Sequence, residues 1–415
     1  VTSDAGAARA IPAGAAHRSE DLPDARRIAE IDALRGFALL GILLVNALMM
    51  AGPYGLGGEL GTSALDRAVQ WLVTALVTSK FYVLFAFLFG CSFTLQQRSA
   101  ERAGVRFGPR RLRRSAGMLI LGFTHAVLLY PGDILMAYAL LGLVLFAGRK
   151  AGRGAVRTAW WWFGLAGAVL LLIGTALALL PQEAARFSTE LSAEAAQLTD
   201  GYRGDAASVV ATNAGQLDEV LFGVVQTAGH VVPAFLLGMV AARHGRPALS
   251  GVMRRRLHRT LRLGLAAGLP GGAFMALAMT GPLGPRWEIL GTAVGTVTAP
   301  ALTAAYTSAM LLWLGRPSSR RVWPLLAAAG RMSLTNYLLQ SLVLALVFTG
   351  YGLALYGRLG AATVTVGALL LYTGQLLLSH RALRRFRYGP AEWLLRAVTH
   401  GRRPAKTGRP RLPRR

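Results

Sequence analysis

The chain has 415 residues, 53% of them hydrophobic and only 15% charged, and its 45 Lys and Arg against 19 Asp and Glu give a net charge of +26. Soluble domains carry roughly 25% charged residues, which excludes an ordinary cytosolic enzyme. Apolar runs approach the roughly 20 residues that carry a helix across a bilayer, so the expected fold class is an all-α integral membrane protein.

The basic excess does not point to nucleic acid. Lysine is confined to Lys80, Lys150 and Lys406, and the arginines cluster between hydrophobic runs, where the positive-inside rule puts them. Cys91 is the single cysteine, so neither an intramolecular disulfide nor a multi-cysteine metal site can form. In its apolar segment it is expected only to pack.

Residues 1–30 lack periodicity and lack the apolar run of a signal peptide, which predicts a disordered cytoplasmic tail. One polytopic transmembrane domain over 31–400 and a basic cytoplasmic tail over 401–415 follow. The first span covers about Gly36 to Ala51. Residues 64–79 form an apolar helix lying in the interface or dipping inward, and lead to a second span from Phe81 to Leu95. Further spans are expected at about Met118–Tyr130, Ile134–Phe146, Trp160–Leu180, Val220–Ala242, Leu261–Thr280, Ile289–Leu314, Val322–Thr349 and Leu353–Leu378, ten in all.

Alternating these spans places 39 Lys and Arg on one side and 6 on the other, which puts both termini in the cytoplasm. The loop 181–219 is then external. It carries seven acids against two arginines, and helix formers over 181–198 predict one amphipathic helix. The Pro/Arg-rich 403–415 segment is expected beside anionic lipid. No internal repeat of the inverted-transporter kind is visible.

Ionisable and amide side chains inside spans are costly and tend to face a cavity, a partner or a substrate path. Here they are Asp32, Arg35, Asn46, Lys80, His125, Asp133, His230, Arg331, Asn336 and Gln340. His125 and Asp133 flank a Pro131-Gly132 break, so they sit on adjacent helices. Asp133 reads either as a cap of the next helix or as the carboxylate that orients a base. His125 reads either as a buried neutral imidazole bonded to a neighbouring helix or as a general base near neutral pH.

Asn46, Lys80, His230, Asn336 and Gln340 all fall at middle-to-outer depth. That predicts a polar cavity reachable from outside, or else scattered interhelical hydrogen bonds worth under ~1 kcal/mol each. Asp32 and Arg35 form an i,i+3 pair at the cytoplasmic border. Arg35 and Arg331 at that depth suit the phosphates of a cytoplasmic ligand. The clusters Arg110–Arg114 and Arg254–Arg256 are expected to be topogenic and lipid-facing, with binding of CoA or a nucleotide as the alternative. The histidines and acids lack metal-ligand spacing, so no metal site is expected.

Several separated segments resemble one family. They are Arg27-Ile-Ala-Glu-Ile-Asp-Ala-Leu-Arg-Gly through Asn46, Lys80-Phe-Tyr-Val-Leu-Phe-Ala-Phe-Leu-Phe-Gly90, the His125/Asp133 segment, Gly330-Arg-Met-Ser-Leu-Thr-Asn-Tyr-Leu-Leu-Gln-Ser341 and Tyr388-Gly-Pro-Ala-Glu-Trp-Leu-Leu-Arg396. In this order, over about residues 27–400, they resemble the YeiB-like bacterial membrane proteins, domain of unknown function 418. That family is similar at a distance to transmembrane acyltransferases of the heparan-glucosaminide N-acetyltransferase and acyltransferase-3 types. They share the Asp-x-x-Arg-Gly opening, here Asp32, Arg35 and Gly36, and the Asn matched by Asn46. The heparan-type enzymes carry a catalytic His shortly after that Asn. This chain has none between His17 and His125, so His125 would supply the base from another span.

The resemblance implies an acyltransferase of the bacterial plasma membrane, with no tightly bound cofactor and acyl-CoA as co-substrate. Its phosphates would meet Arg35 and Arg331, and His125 oriented by Asp133 would deprotonate a hydroxyl or amine. Asn46 would donate to the thioester oxyanion, and Lys80 would hold an acidic acceptor or the His–Asp pair. The acceptor is a glycan, a lipid or a small molecule, and a homo-oligomer stays open. The alternative is an exporter of a small amphiphile that uses the buried His, Asp and Lys as a proton relay.

Overall fold

A computed structural model describes residues 16–56, 60–147, 154–243 and 251–401. Among them every regular element is helical. In chain order the helices are α1 (Ala16–Ala51), α2 (Ala64–Leu76), α3 (Lys80–Arg102), α4 (Phe107–Leu128), α5 (Ile134–Ala147), α6 (Gly154–Leu179), α7 (Pro181–Arg203) and α8 (Ala206–Gly215). They continue as α9 (Leu217–Arg243), α10 (Gly251–Thr280), α11 (Glu288–Leu314), α12 (Trp323–Arg331), α13 (Ser333–Phe348), α14 (Ala361–Arg385) and α15 (Pro390–His400). The 403–415 tail and six further cations of the charge count (Arg9, Arg149, Lys150, Arg153, Arg246 and Arg402) lie outside the described residues.

Among the described residues six stretches are long and apolar enough to cross a membrane, seven if a bent pair counts as one span. They correspond to α1 from Ala29, α2 with α3, α6 from Val156, α10, α11 and α14, with α12 and α13 as the bent pair. Two of the ten expected spans fall outside this set for physical reasons. Arginines fill the first turns of α4, and α5 has 14 residues, short of the roughly 20 a full crossing takes. The span expected at Val220–Ala242 lies within the 27-residue helix α9, but the side chains of its first part, through residue 227, lie outside those described.

Other boundaries move as well. The helix of the first span begins at Ala16, inside the segment expected to be a disordered tail, because Ala, Glu and Arg sustain helix through residue 30. The 181–219 loop holds two helices rather than one, since Gly204 ends α7 and Asp205 caps α8 by accepting from Ser208 N. The last expected span starts at Ala361 instead of Leu353, because residues 350–360 fold as turns.

The largest correction is at 322–349, expected as one span. It breaks by 81° between α12 and α13. Met332 leaves helical geometry there (φ −104°, ψ 28°). The exposed backbone at the break is satisfied from within the protein, as a buried helix end requires. Asn336 Nδ2 donates to Ala329 O (3.2 Å), and Glu392 of α15 accepts from Leu334 N (2.7 Å) and Thr335 N (3.1 Å). At the same level α12 crosses α1 backbone to backbone. A Cβ on Gly330 would overlap the Asp32 carbonyl oxygen, and one on Gly36 would overlap that of Leu326. The glycine of the Asp-x-x-Arg-Gly opening is thus explained by packing.

Candidate functional site

His125 ends the α4 core face and Asp133 opens α5. Gly122 lets the two helices meet, because a Cβ there would stand 2.6 Å from Asp133 Oδ2 and 2.8 Å from Met136 N. The Asp133 carboxylate serves both of its expected roles. Oδ2 caps α5 by accepting from Met136 N (2.8 Å), and Oδ1 faces His125 Nδ1 at 3.0 Å. Both residues are buried, 2% and 4% exposed. The approach at Nδ1 is close but is not an aligned hydrogen bond, and neither ring nitrogen of His125 has a hydrogen-bond partner among the described residues.

Tyr337 of α13 completes the cluster. Its hydroxyl donates to Asp133 Oδ1 (3.4 Å), and its ring stands 5.1 Å from the imidazole. Glu392 positions it by capping α13 one turn earlier, and Glu392 Oε2 also accepts from the Thr335 hydroxyl (2.6 Å). Sequence reasoning quoted both residues within motifs but gave neither a role.

From Tyr337 a cavity of about 620 Å³ runs toward the arginine-rich end of the bundle. Ile134, Leu135, Tyr138, Phe85, Phe89 and Met118 are among its apolar lining, while His125 and Asp133, in contact with Tyr337, do not line it. It also carries seven arginines, Arg35, Arg110, Arg111, Arg114, Arg331, Arg387 and Arg396, with Asp32 and Glu392 the acids. Arg35 and Arg331 are thus brought together on one wall as expected. Arg35 Nη1 pairs with Asp32 Oδ1 (2.7 Å), and Nη2 donates to Ser92 Oγ (2.6 Å). Arg331 closes α12 instead of opening a span, and its Nη2 donates to Arg387 O (3.4 Å).

Arg110, Arg111 and Arg114 correct the lipid-facing expectation. Arg111 is 2% exposed and its guanidinium lies over Phe93 (4.9 Å) and Phe89 (5.7 Å). The signal was present in the spacing: Arg111, Ser115, Met118, Gly122 and His125 form one buried stripe along α4.

The other candidates fall elsewhere. Lys80 is buried at the α2–α3 junction, donating to Thr74 O (3.2 Å), with neither His125 nor Asp133 as its partner. His230 packs edge-on against Phe163 between α9 and α6 (5.5 Å). Asn336 and Gln340 do share a face, but that face meets α14. Gln340 Nε2 donates to Gln375 Oε1 (2.7 Å), Gln375 Nε2 to Asn336 O (3.0 Å), and Asn336 Nδ2 to Ser379 Oγ (3.0 Å). These are the interhelical bonds of the structural alternative. Asn46 is half-buried, on the α1 face that carries Met49 one turn on. Met49 Sδ accepts the Tyr130 hydroxyl (3.4 Å), so this face turns toward the segment between His125 and Asp133.

The sequence matches the uncharacterized protein YxaH of Bacillus subtilis (strain 168) at 31% identity over 396 residues, 90% of this chain and 94% of that protein. The chain belongs to the DUF418 family. The model of this family of proteins of unknown function matches residues 241–402, from the end of α9 through α15. A further DUF418 relative, the uncharacterized protein YeiB of Escherichia coli (strain K12), is 28% identical over 388 residues, 89% of this chain and 95% of its own. No solved structure gives a significant match.

Proposed function

We propose that the protein is a membrane acyltransferase in which His125 is the general base. The observation that carries this reading is the buried imidazole with a carboxylate 3.0 Å from Nδ1 and no hydrogen-bond partner at Nε2 among the described residues. That is the arrangement of an oriented base whose second nitrogen is left for a substrate proton. In acyl transfer the acceptor hydroxyl or amine loses its proton to Nε2 and attacks the thioester carbonyl. The C–S bond breaks, and the proton passes to the thiolate, releasing free thiol. Asp133 holds the imidazolium between the two steps.

In this reading acyl-CoA enters from the arginine-rich end, taken as the cytoplasmic side of a bacterial plasma membrane by the positive-inside rule, and the acceptor approaches from the α7–α8 side. Asn46, on the face of α1 turned toward the His125 turn, is the candidate oxyanion donor. Lys80, with its backbone-carbonyl partner, has no part in this step.

The test is thiol release. Purified protein in detergent, given a panel of acyl-CoA donors and hydroxyl or amine acceptors, is expected to release CoA thiol, and His125→Gln to abolish that release. An exporter would leave every thioester intact in detergent and move its cargo only across a sealed vesicle, which would overturn the acyltransferase reading.

A further inference from the structure

We propose that the cavity is a binding site for an amphiphile with a phosphate-bearing head, and that Arg111 and Arg114 are the ligands of that head. Both carboxylates on the wall are already engaged, Asp32 by Arg35 and Glu392 by the backbone of α13. The cavity is therefore strongly cationic, and two of its arginines have buried N–H groups without acceptors among the described residues. Arg111 Nε and Nη2 and Arg114 Nε are buried without a hydrogen-bond partner among the described residues.

A guanidinium buried among Phe89 and Phe93 without an acceptor is costly. A topogenic arginine needs only to face water or headgroups, so topology does not explain this burial. The two arginines lie three residues apart on one face of α4, as two forks beside one space. A phosphate ester fits them because it accepts bidentate pairs from arginine and brings more charge than one carboxylate. The apolar half of the cavity, from Phe85 to Tyr337, takes the arm or chain that follows the head. A volume of about 620 Å³ is that of a small-ligand pocket.

This site stands whether or not the reaction is acyl transfer. The head belongs either to a soluble phosphate ester or to a lipid, and the probes separate the two. Thermal melting of the full chain in dodecyl maltoside is followed against coenzyme A, ADP and dioctanoyl phosphatidic acid, with pantetheine and dioctanoylglycerol as phosphate-free controls. We expect a saturable upward shift with phosphate-bearing probes only. Half-saturation should rise at least tenfold in Arg111→Gln and in Arg114→Gln. Without probe, Arg111→Gln should melt no lower than wild type, because it removes an unpaired buried charge.

A shift with coenzyme A and ADP supports the site and assigns it to a soluble ester, and one with phosphatidic acid alone supports it and assigns it to a lipid. Absence of any phosphate-dependent shift overturns the proposal, as does an unchanged probe response in both variants. Should Arg111→Gln fail to fold, Arg111→Lys keeps the charge without the fork and is expected to weaken binding by a smaller factor. His125→Gln should bind the probes like wild type, so a failed turnover assay leaves this result intact.

Discussion

The hydroxyl of Tyr337 donates to Asp133 Oδ1 at 3.4 Å, the same carboxylate oxygen that His125 Nδ1 approaches to 3.0 Å. Tyr337 also lines the cavity, whereas the histidine and the carboxylate do not. The side chain is therefore both a hydrogen-bond partner of the buried pair and part of the wall of the arginine-lined space.

Tyr337→Phe keeps the ring on the cavity wall and removes one hydrogen bond to a buried carboxylate. A bond of this kind contributes about 1–3 kcal/mol, so the variant is expected to melt a few degrees below wild type. Its rate of thiol release should fall at least tenfold with little change in the half-saturating donor concentration. Equal rates in Tyr337→Phe and wild type would show that the hydroxyl only closes the cavity.

Asp133 has two separable roles, as the cap of Met136 N and as the charge beside His125. Asp133→Asn keeps an acceptor for the cap and removes the charge, while Asp133→Ala removes both. Loss of a cap costs roughly 1 kcal/mol, so the Ala variant should be the less stable by about that amount in thermal unfolding. Turnover should be equally low in both. A fully active Asp133→Asn would show that orientation of the imidazole does not depend on the carboxylate charge.

What could be read in advance, and what could not, follows from the range of each interaction. That His125 and Asp133 lie on adjacent helices was legible from the Pro131-Gly132 break, but their contact was not, because it depends on the close approach that Gly122 admits between α4 and α5. The shared face of Asn336 and Gln340 was legible too, but not its neighbour, since Gln375 and Ser379 lie 35 and 43 residues further along the chain. Hydropathy could not show the break at Met332, because α12 and α13 together are apolar enough for one span and the acceptor that makes the break tolerable is the distant Glu392. Arg111 was misassigned because depth was weighed and face was not. Its register with Ser115, Met118, Gly122 and His125 placed it inside.

Glu392 holds two backbone N–H groups and one hydroxyl at the start of α13. Glu392→Ala leaves those donors at a partly buried helix end. Hydrogen bonds to a charged acceptor are worth about 1.5–3 kcal/mol, and their losses overlap, so a destabilisation of about 3 kcal/mol is expected. Glu392→Gln retains an oxygen acceptor and should recover most of it. The melting temperatures of the two variants decide this, and equal losses would mean that the charge rather than the cap matters.

Gly330 tests whether the close crossing of α1 and α12 sets the Asp32–Arg35 wall of the cavity. A Cβ at Gly330 meets the Asp32 carbonyl oxygen and reaches 2.8 Å from Gly36 N, both backbone atoms that cannot rotate away. Relief requires α12 to move off α1, and overpacking of this kind costs about 3 kcal/mol or prevents folding. Gly374→Ala on α14 is the control, since nothing lies within 4 Å of its added methyl. That variant should be neutral or stabilised by about 0.5 kcal/mol through helix propensity. The two melts should therefore move in opposite directions. A Gly330→Ala protein as stable as Gly374→Ala would show that the helices can separate at no cost, and that the crossing does not hold Arg35 at the cavity.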